Sequence, residues 1–350
     1  MGAFLVRKAA VTEWIRSLAR EQPLFFPQPV GRSGFRFQPL REGSEVRFDH
    51  YRPSVVPPGR QLTPAGEVLF RYRTGEGGVP GFESVLDASP RILAGVRPCD
   101  LRGIYLMDRV NREGRDDPHY LTRRANTAII ACDCLAPCDD FCFCETVGSL
   151  RWREGADLFL TSVDGDFLVE ALTPLGESLL PGTGFARCED VAGLRARAEE
   201  VRVRPFGRHF ALSPERIAAI LPGLWRSPVW ENCGQRCLSC GSCNLVCPTC
   251  YCFDIQDDFD ISDPSSGDRR RNWDGCLLPN FAEVAGGHNF RPQPSARQRH
   301  RVKRKFEYLV GRLAEGSFCV GCGRCGRQCT VGIDIFDIVS ELVAVAEPPP

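Results

Sequence analysis

Nineteen cysteines stand in the 350-residue chain, and eight of them repeat one spacing. Cys237-x2-Cys240-x2-Cys243-x3-Cys247 returns 82 positions later as Cys319-x2-Cys322-x2-Cys325-x3-Cys329. Three cysteines set this closely turn three thiolates inward from one short loop, which suits three irons of a [4Fe-4S] cubane. A tetrahedral zinc ion asks for two separated pairs and would leave the third close cysteine idle. In paired runs of this kind the fourth cysteine of each run reaches the other cluster. Cys237, Cys240, Cys243 and Cys329 are therefore expected to hold one cluster, and Cys319, Cys322, Cys325 and Cys247 the second. Two interleaved one-electron centres make a short electron wire. Pro248 closes the first run, whereas Thr330 stands at the matching place in the second; no ligand is lost by that.

Further thiols lie outside the repeats. Cys99, in Arg97-Pro-Cys-Asp-Leu-Arg102, and the group Cys132, Cys134, Cys138, Cys142 and Cys144 precede them. Cys99 and Cys132 each follow a short apolar run that reads as a buried strand, so both would emerge at the carboxyl edge of a parallel sheet, where α/β sites gather. Cys99, Cys132, Cys142 and Cys144 could there hold a third iron-sulfur cluster; zinc, or thiols that are inert or redox-active, remain alternatives because the spacing matches no ferredoxin loop. Cys233, Cys250, Cys252 and Cys276 read as small apolar fillers near the clusters or as ligands of something extra. His288, in Ala285-Gly-Gly-His-Asn289, reads as a structural hydrogen-bond donor.

The elements that must position these residues divide the chain. Residues 1–225 carry alternating strand and helix signals: a helix at 11–19, strands at 45–48, 67–72, 91–96 and 125–131, and a hairpin at 158–163 and 166–172 turned by Asp164-Gly165. Helices at 190–200 and 214–224 close this α/β domain. From residue 226 to 350 the cysteines become dense, strand signals vanish, and helical periods appear at 295–313 and 333–345 before a short proline tail. A mostly α-helical, ferredoxin-like domain is expected there. The run from Arg297 to Lys305 reads as a solvated basic face. Gly75-x-Gly77-x-x-Pro80-Gly81 reads as a surface turn, since Pro80 replaces the third glycine of a dinucleotide loop.

Composition narrows the partners. Lys+Arg 44 balances Asp+Glu 44, which leaves no global field for nucleic acid or an anionic membrane surface. Residues 1–10 lack the apolar stretch of a secretory signal, and no run of about 18 apolar residues suggests a membrane span. A reducing cytoplasm is the expected compartment, where clustered thiols are metal ligands more often than disulfides.

With both cysteine repeats, the Arg97-Pro-Cys-Asp-Leu-Arg102 loop, Cys142-Phe-Cys144, Trp273-Asp-Gly-Cys276, Ala285-Gly-Gly-His-Asn-Phe290 and the basic run before Cys319 in this order, the chain resembles a known family from about Gly95 to Asp337. It is similar to the β subunits of cytosolic sulfhydrogenases, the NAD(P)-linked nickel-iron hydrogenases, and to the related A subunit of anaerobic sulfite reductase. The resemblance implies an electron-transfer subunit of a hetero-oligomer with two [4Fe-4S] clusters on the eight cysteines. It also implies a flavin-containing partner that handles NAD(P)H, and a catalytic partner: hydrogenase small and large subunits, or a sirohaem subunit. Direct reduction of sulfur or polysulfide by the additional thiols is the competing reading. No hydride site is legible in this chain.

Overall fold

The computed structural model describes residues 2–347 apart from Ser33, Asp49, His50, 76–78, Thr183 and Glu315; at Asp260 and Pro264 only the backbone is considered. Gly77 of the expected surface turn and the last three prolines lie outside the described residues. Among the described residues twelve strands run in chain order: β1 (Ala3–Val6), β2 (Leu24–Val30), β3 (Gly34–Pro39), β4 (Glu67–Thr74), β5 (Pro80–Ser84), β6 (Arg91–Val96), β7 (Thr127–Cys132), β8 (Leu158–Val163), β9 (Asp166–Ala171), β10 (Ala186–Arg187), β11 (Phe253–Asp260) and β12 (Asp263–Trp273).

Eight of them form one sheet in the order β10-β1-β9-β8-β7-β6-β2-β3. Its centre is parallel, β2 to β6 to β7 to β8, and its edges are antiparallel. The parallel strands β6 and β7 are buried almost throughout, as continuous apolar runs must be when both sheet faces are covered. Helix Lys8–Glu21 buries Val11, Trp14, Ile15 and Leu18 on one face, the i, i+3, i+4, i+7 stripe of an amphipathic helix. Helix Pro98–Val110 covers the other face with Leu101 and Ile104. The Asp164-Gly165 turn takes the expected positive φ angles, 53° and 88°.

Two expectations about strands need correction. Residues 45–48 form no strand: they are an extended segment tied by Gln28 Nε2 donating to the Glu45 carbonyl, with Phe48 packed edge-on to Phe26. The strands of that region are β2 and β3, hidden by Pro27 and Pro29, which are tolerated because β2 pairs with β6 at Leu24 and Phe25, before the prolines. Strands also do not vanish after residue 226. The helices and dense cysteines are there, but β11 and β12 form a long hairpin between the two cysteine runs, and β12 joins β4 and β5 in a second, four-stranded sheet.

Charge, not apolar alternation, holds that hairpin. Arg269 donates twice to Asp257 at 2.7 Å, and Arg270 faces Asp258 at 3.2 Å across the strand pair. At its buried end Arg271 donates to Glu67 at 2.9 and 2.5 Å, and Glu67 also receives Arg123 at 2.7 Å. The helices Pro228–Arg236, Pro294–Lys303 and Ile335–Ala346 build the remaining core, centred on Trp230, Val302, Phe306 and Leu342. Among the described residues no helix is long and apolar enough to cross a membrane.

Candidate metal centre

Each cysteine run folds as a loop that ends in one helical turn, Ser242–Leu245 or Arg324–Arg327, entered through a glycine at positive φ. The first run opens onto a cavity lined by Cys237, Cys240 and Cys243, and the same cavity is lined by Cys329 from the second run. In the second run, Cys247 is the electrostatic neighbour of Cys319, Cys322 and Cys325. The structure thus gathers the eight thiols as two foursomes, each with three members from one run and one from the other. Among the described residues no three His, Cys, Asp or Glu side chains converge on one point, as a single metal ion would require. A cubane asks for less convergence, since each thiolate meets its own iron.

Burial raises the thiols of Cys319, Cys322 and Cys325, whereas Cys247 is shifted down, first by its hydrogen bond with Cys250. Cys325 is pushed up to about 12 by desolvation, with Arg301 opposing and Asp334, Cys322 and Cys247 adding. Cys319 is raised further by the same cause. Such thiols stay protonated until a metal takes the proton's place. In the first foursome Cys240 is exposed, so that group reaches the protein surface.

The basic run is the largest reversal of expectation. Arg297, Gln298, Arg301, Lys303 and Lys305 are only 1–7% exposed. Gln298 Nε2 donates to Cys237 Sγ at 3.1 Å, and Arg297 holds the same loop through Ser239 Oγ at 2.8 Å. Lys305 Nζ donates to the Thr249 carbonyl and hydroxyl at 2.7 and 2.8 Å, two residues past Cys247. Arg301 is fully desolvated and its favourable neighbours are Cys243, Cys325, Cys247 and Cys250, so one guanidinium serves both foursomes. Buried cations without a carboxylate partner are costly unless negative charge is to be placed beside them. Thiolate-bound clusters supply that charge, and in this respect the residues fit the group.

The Arg97–Arg102 loop is the clamp on the second run. Asp100, in the first turn of helix Pro98–Val110, receives Arg324 through two bonds of 2.6 and 2.7 Å, and Arg324 lies between Cys322 and Cys325. Arg102 donates to the Ser317 carbonyl at 2.8 Å and to the Cys319 carbonyl at 3.4 Å. On the same helix Gly103 meets Pro248, where an added Cβ would stand 2.9 Å from the proline ring. Gly321, at φ +67°, lies against Phe143 and Cys144 so closely that any Cβ would approach their backbone to 2.6 Å; its carbonyl accepts from Phe143 N at 2.8 Å.

That contact brings the first-domain thiols to the second run. Cys99, Cys134, Cys142 and Cys144 share one buried cluster with Cys322, and Cys138 is hydrogen-bonded to Cys142. Cys132 ends β7, packs against the core on the other sheet side, and beside Arg97 and Tyr51 lines one cavity with Cys134 and Cys138. The sequence reading places Cys134 and Cys138 in this thiol group but not among its four candidate ligands. His288 is exposed and stands edge-on to Phe290, away from the cavity lining.

The 4Fe-4S dicluster domain family matches residues 236–333. Over 318 residues, 89% of each chain, the sequence is 31% identical to sulfhydrogenase 2 subunit beta of Pyrococcus furiosus. No solved structure matches the chain.

Proposed function

The chain belongs to the sulfhydrogenase β-subunit family, and from that premise we propose that it relays electrons in a cytoplasmic hetero-oligomer, between a flavin subunit handling NAD(P)H and hydrogenase small and large subunits. Each [4Fe-4S] cluster, when bound, accepts and releases one electron. Cys237, Cys240, Cys243 and Cys329 hold one; Cys319, Cys322, Cys325 and Cys247 hold the second. Cys99, Cys142 and Cys144, with Cys134 or Cys138 in place of Cys132, form a third site.

The observation that carries this reading is an unbroken line of thiols through the molecule. Cys144 neighbours Cys99, Cys99 neighbours Cys322, and Arg301 joins Cys325 to Cys243, whose foursome ends at exposed Cys240. The chain's own residues keep water from the inner thiols, compensate their charge and fix the loops. Residues 1–225 clamp the inner run on this view and residues 226–350 carry both runs and the outlet, the two parts being joined in one sheet through β12 and β4.

Full-length protein purified without oxygen should contain about eight iron and eight acid-labile sulfide, or about twelve of each with the third site filled. Iron near four with stoichiometric zinc would refute the assignment. The same preparation, without partners, should bind no flavin and oxidise no NAD(P)H. Stoichiometric flavin would move the NAD(P)H chemistry into this chain.

A further inference from the structure

Beside the first cysteine run lies a cavity of about 220 Å³ that the relay does not use. Helix Pro98–Val110 supplies Met107, the segment after Cys247 supplies Cys250, Tyr251 and Cys252, and Arg60 and Trp273 complete the polar and aromatic wall. Arg60 is 8% exposed, its guanidinium lies 4.5 Å over the Trp273 ring, and its Nε has no partner. Its Nη2 makes a long bond, 3.5 Å, to the Asn244 carbonyl. Asp117 also lines the cavity, but it is engaged by Arg271.

Behind Cys252 stands Cys276, and the two thiols are hydrogen-bonded to each other. The Asn244 amide donates at 3.6 Å to Cys276 Sγ and at 3.6 Å to Cys250 Sγ, which fixes the nest. The thiol of Cys252 is more acidic than usual, first because of Cys276.

We infer that this cavity takes a small disulfide bearing a carboxylate, with Arg60 receiving the carboxylate and Cys252 and Cys276 acting as the exchanging dithiol. Cys252 Sγ attacks one ligand sulfur; the ligand S–S bond breaks, and the released thiolate takes the proton that Cys252 gave up. Cys276 then attacks Cys252 Sγ, the second ligand half departs with the Cys276 proton, and a Cys252–Cys276 disulfide forms. The ligand has gained two electrons and two protons, and the dithiol has lost them. Return to the dithiol takes two electrons and two protons, drawn from the one-electron chemistry of the relay; only this last demand rests on the proposed function.

Cystine is the probe, added to the full-length, anaerobically purified chain, with peptide mass mapping and released cysteine as readouts. Wild type should yield the Cys252–Cys276 disulfide and two cysteines per cystine. Cys276→Ser should stop at a cysteinyl adduct on Cys252, and Cys252→Ser should give neither product. Iron and sulfide should be equal in all three. Arg60→Gln should weaken the response to cystine and leave that to uncharged bis(2-hydroxyethyl) disulfide unchanged. Adducts scattered over other cysteines would overturn the inference, and loss of iron in Cys252→Ser would make that thiol a cluster ligand instead. Wild-type protein without iron would refute the relay, while the adduct pattern would still decide this site.

Discussion

Asp100→Asn is expected to destabilise the chain by about 3–5 kcal/mol, the cost of removing one partner from a buried ion pair. Arg324 is fully buried; its guanidinium donates to Asp100 and to the Ser54 carbonyl and hydroxyl, with Cys322 and Cys99 as further electrostatic neighbours. Uncharged asparagine leaves that cation without its carboxylate partner in the wall of the second foursome. Denaturant unfolding of the anaerobic protein should show the loss as a lower midpoint at unchanged slope. Because Arg324 sits inside the Cys322–Cys325 loop, the second cluster should also become the easier of the two to remove by chelation. A change under about 1 kcal/mol, within the usual range for surface substitutions, would mean that the clamp is replaceable.

The second large effect is electrical. Arg301→Gln removes a buried positive charge that neighbours thiols of both foursomes. A unit charge a few ångströms away at an effective dielectric near 20 is worth about 2–4 kcal/mol, so reduction potentials should fall by roughly 100 mV. The sign is fixed: without the cation the more negative, reduced state is disfavoured. Both clusters should shift in the same direction in a redox titration followed by electron paramagnetic resonance. A shift of one cluster alone would remove Arg301 from its place between the two.

The repeats were legible because cluster ligands are local: three cysteines on one loop advertise their chemistry at any burial. The strands β6 and β7 and the β8–β9 hairpin were legible for a similar reason, as apolar runs and an Asp-Gly turn are also local signals. What sequence concealed was non-local. The β11–β12 hairpin pairs Asp257 and Asp258 with Arg269 and Arg270, a charged pattern without the apolar alternation of a strand signal. Lys303 and Lys305 read as surface because a lysine is almost never buried without a partner, and each has a partner in another segment: the Leu221 carbonyl for one, which also pairs with Glu307 one turn on, and Thr249 for the other. Cys142 and Cys144 join Cys322 where the 141–144 segment is pressed against Gly321 and Gly323, a contact between residues far apart in sequence.

The crossing of the two runs is the central claim, and Cys247→Ser compared with Cys329→Ser tests it most directly. Serine weakens rather than deletes a ligand, so each cluster should persist with an altered spectrum. Electron paramagnetic resonance of the reduced full-length chain should show Cys247→Ser perturbing the same signal as Cys322→Ser, and Cys329→Ser the same signal as Cys240→Ser. If Cys247→Ser instead shares its signal with Cys240→Ser, and Cys329→Ser with Cys322→Ser, each run holds its own cluster and the interleaved relay is wrong.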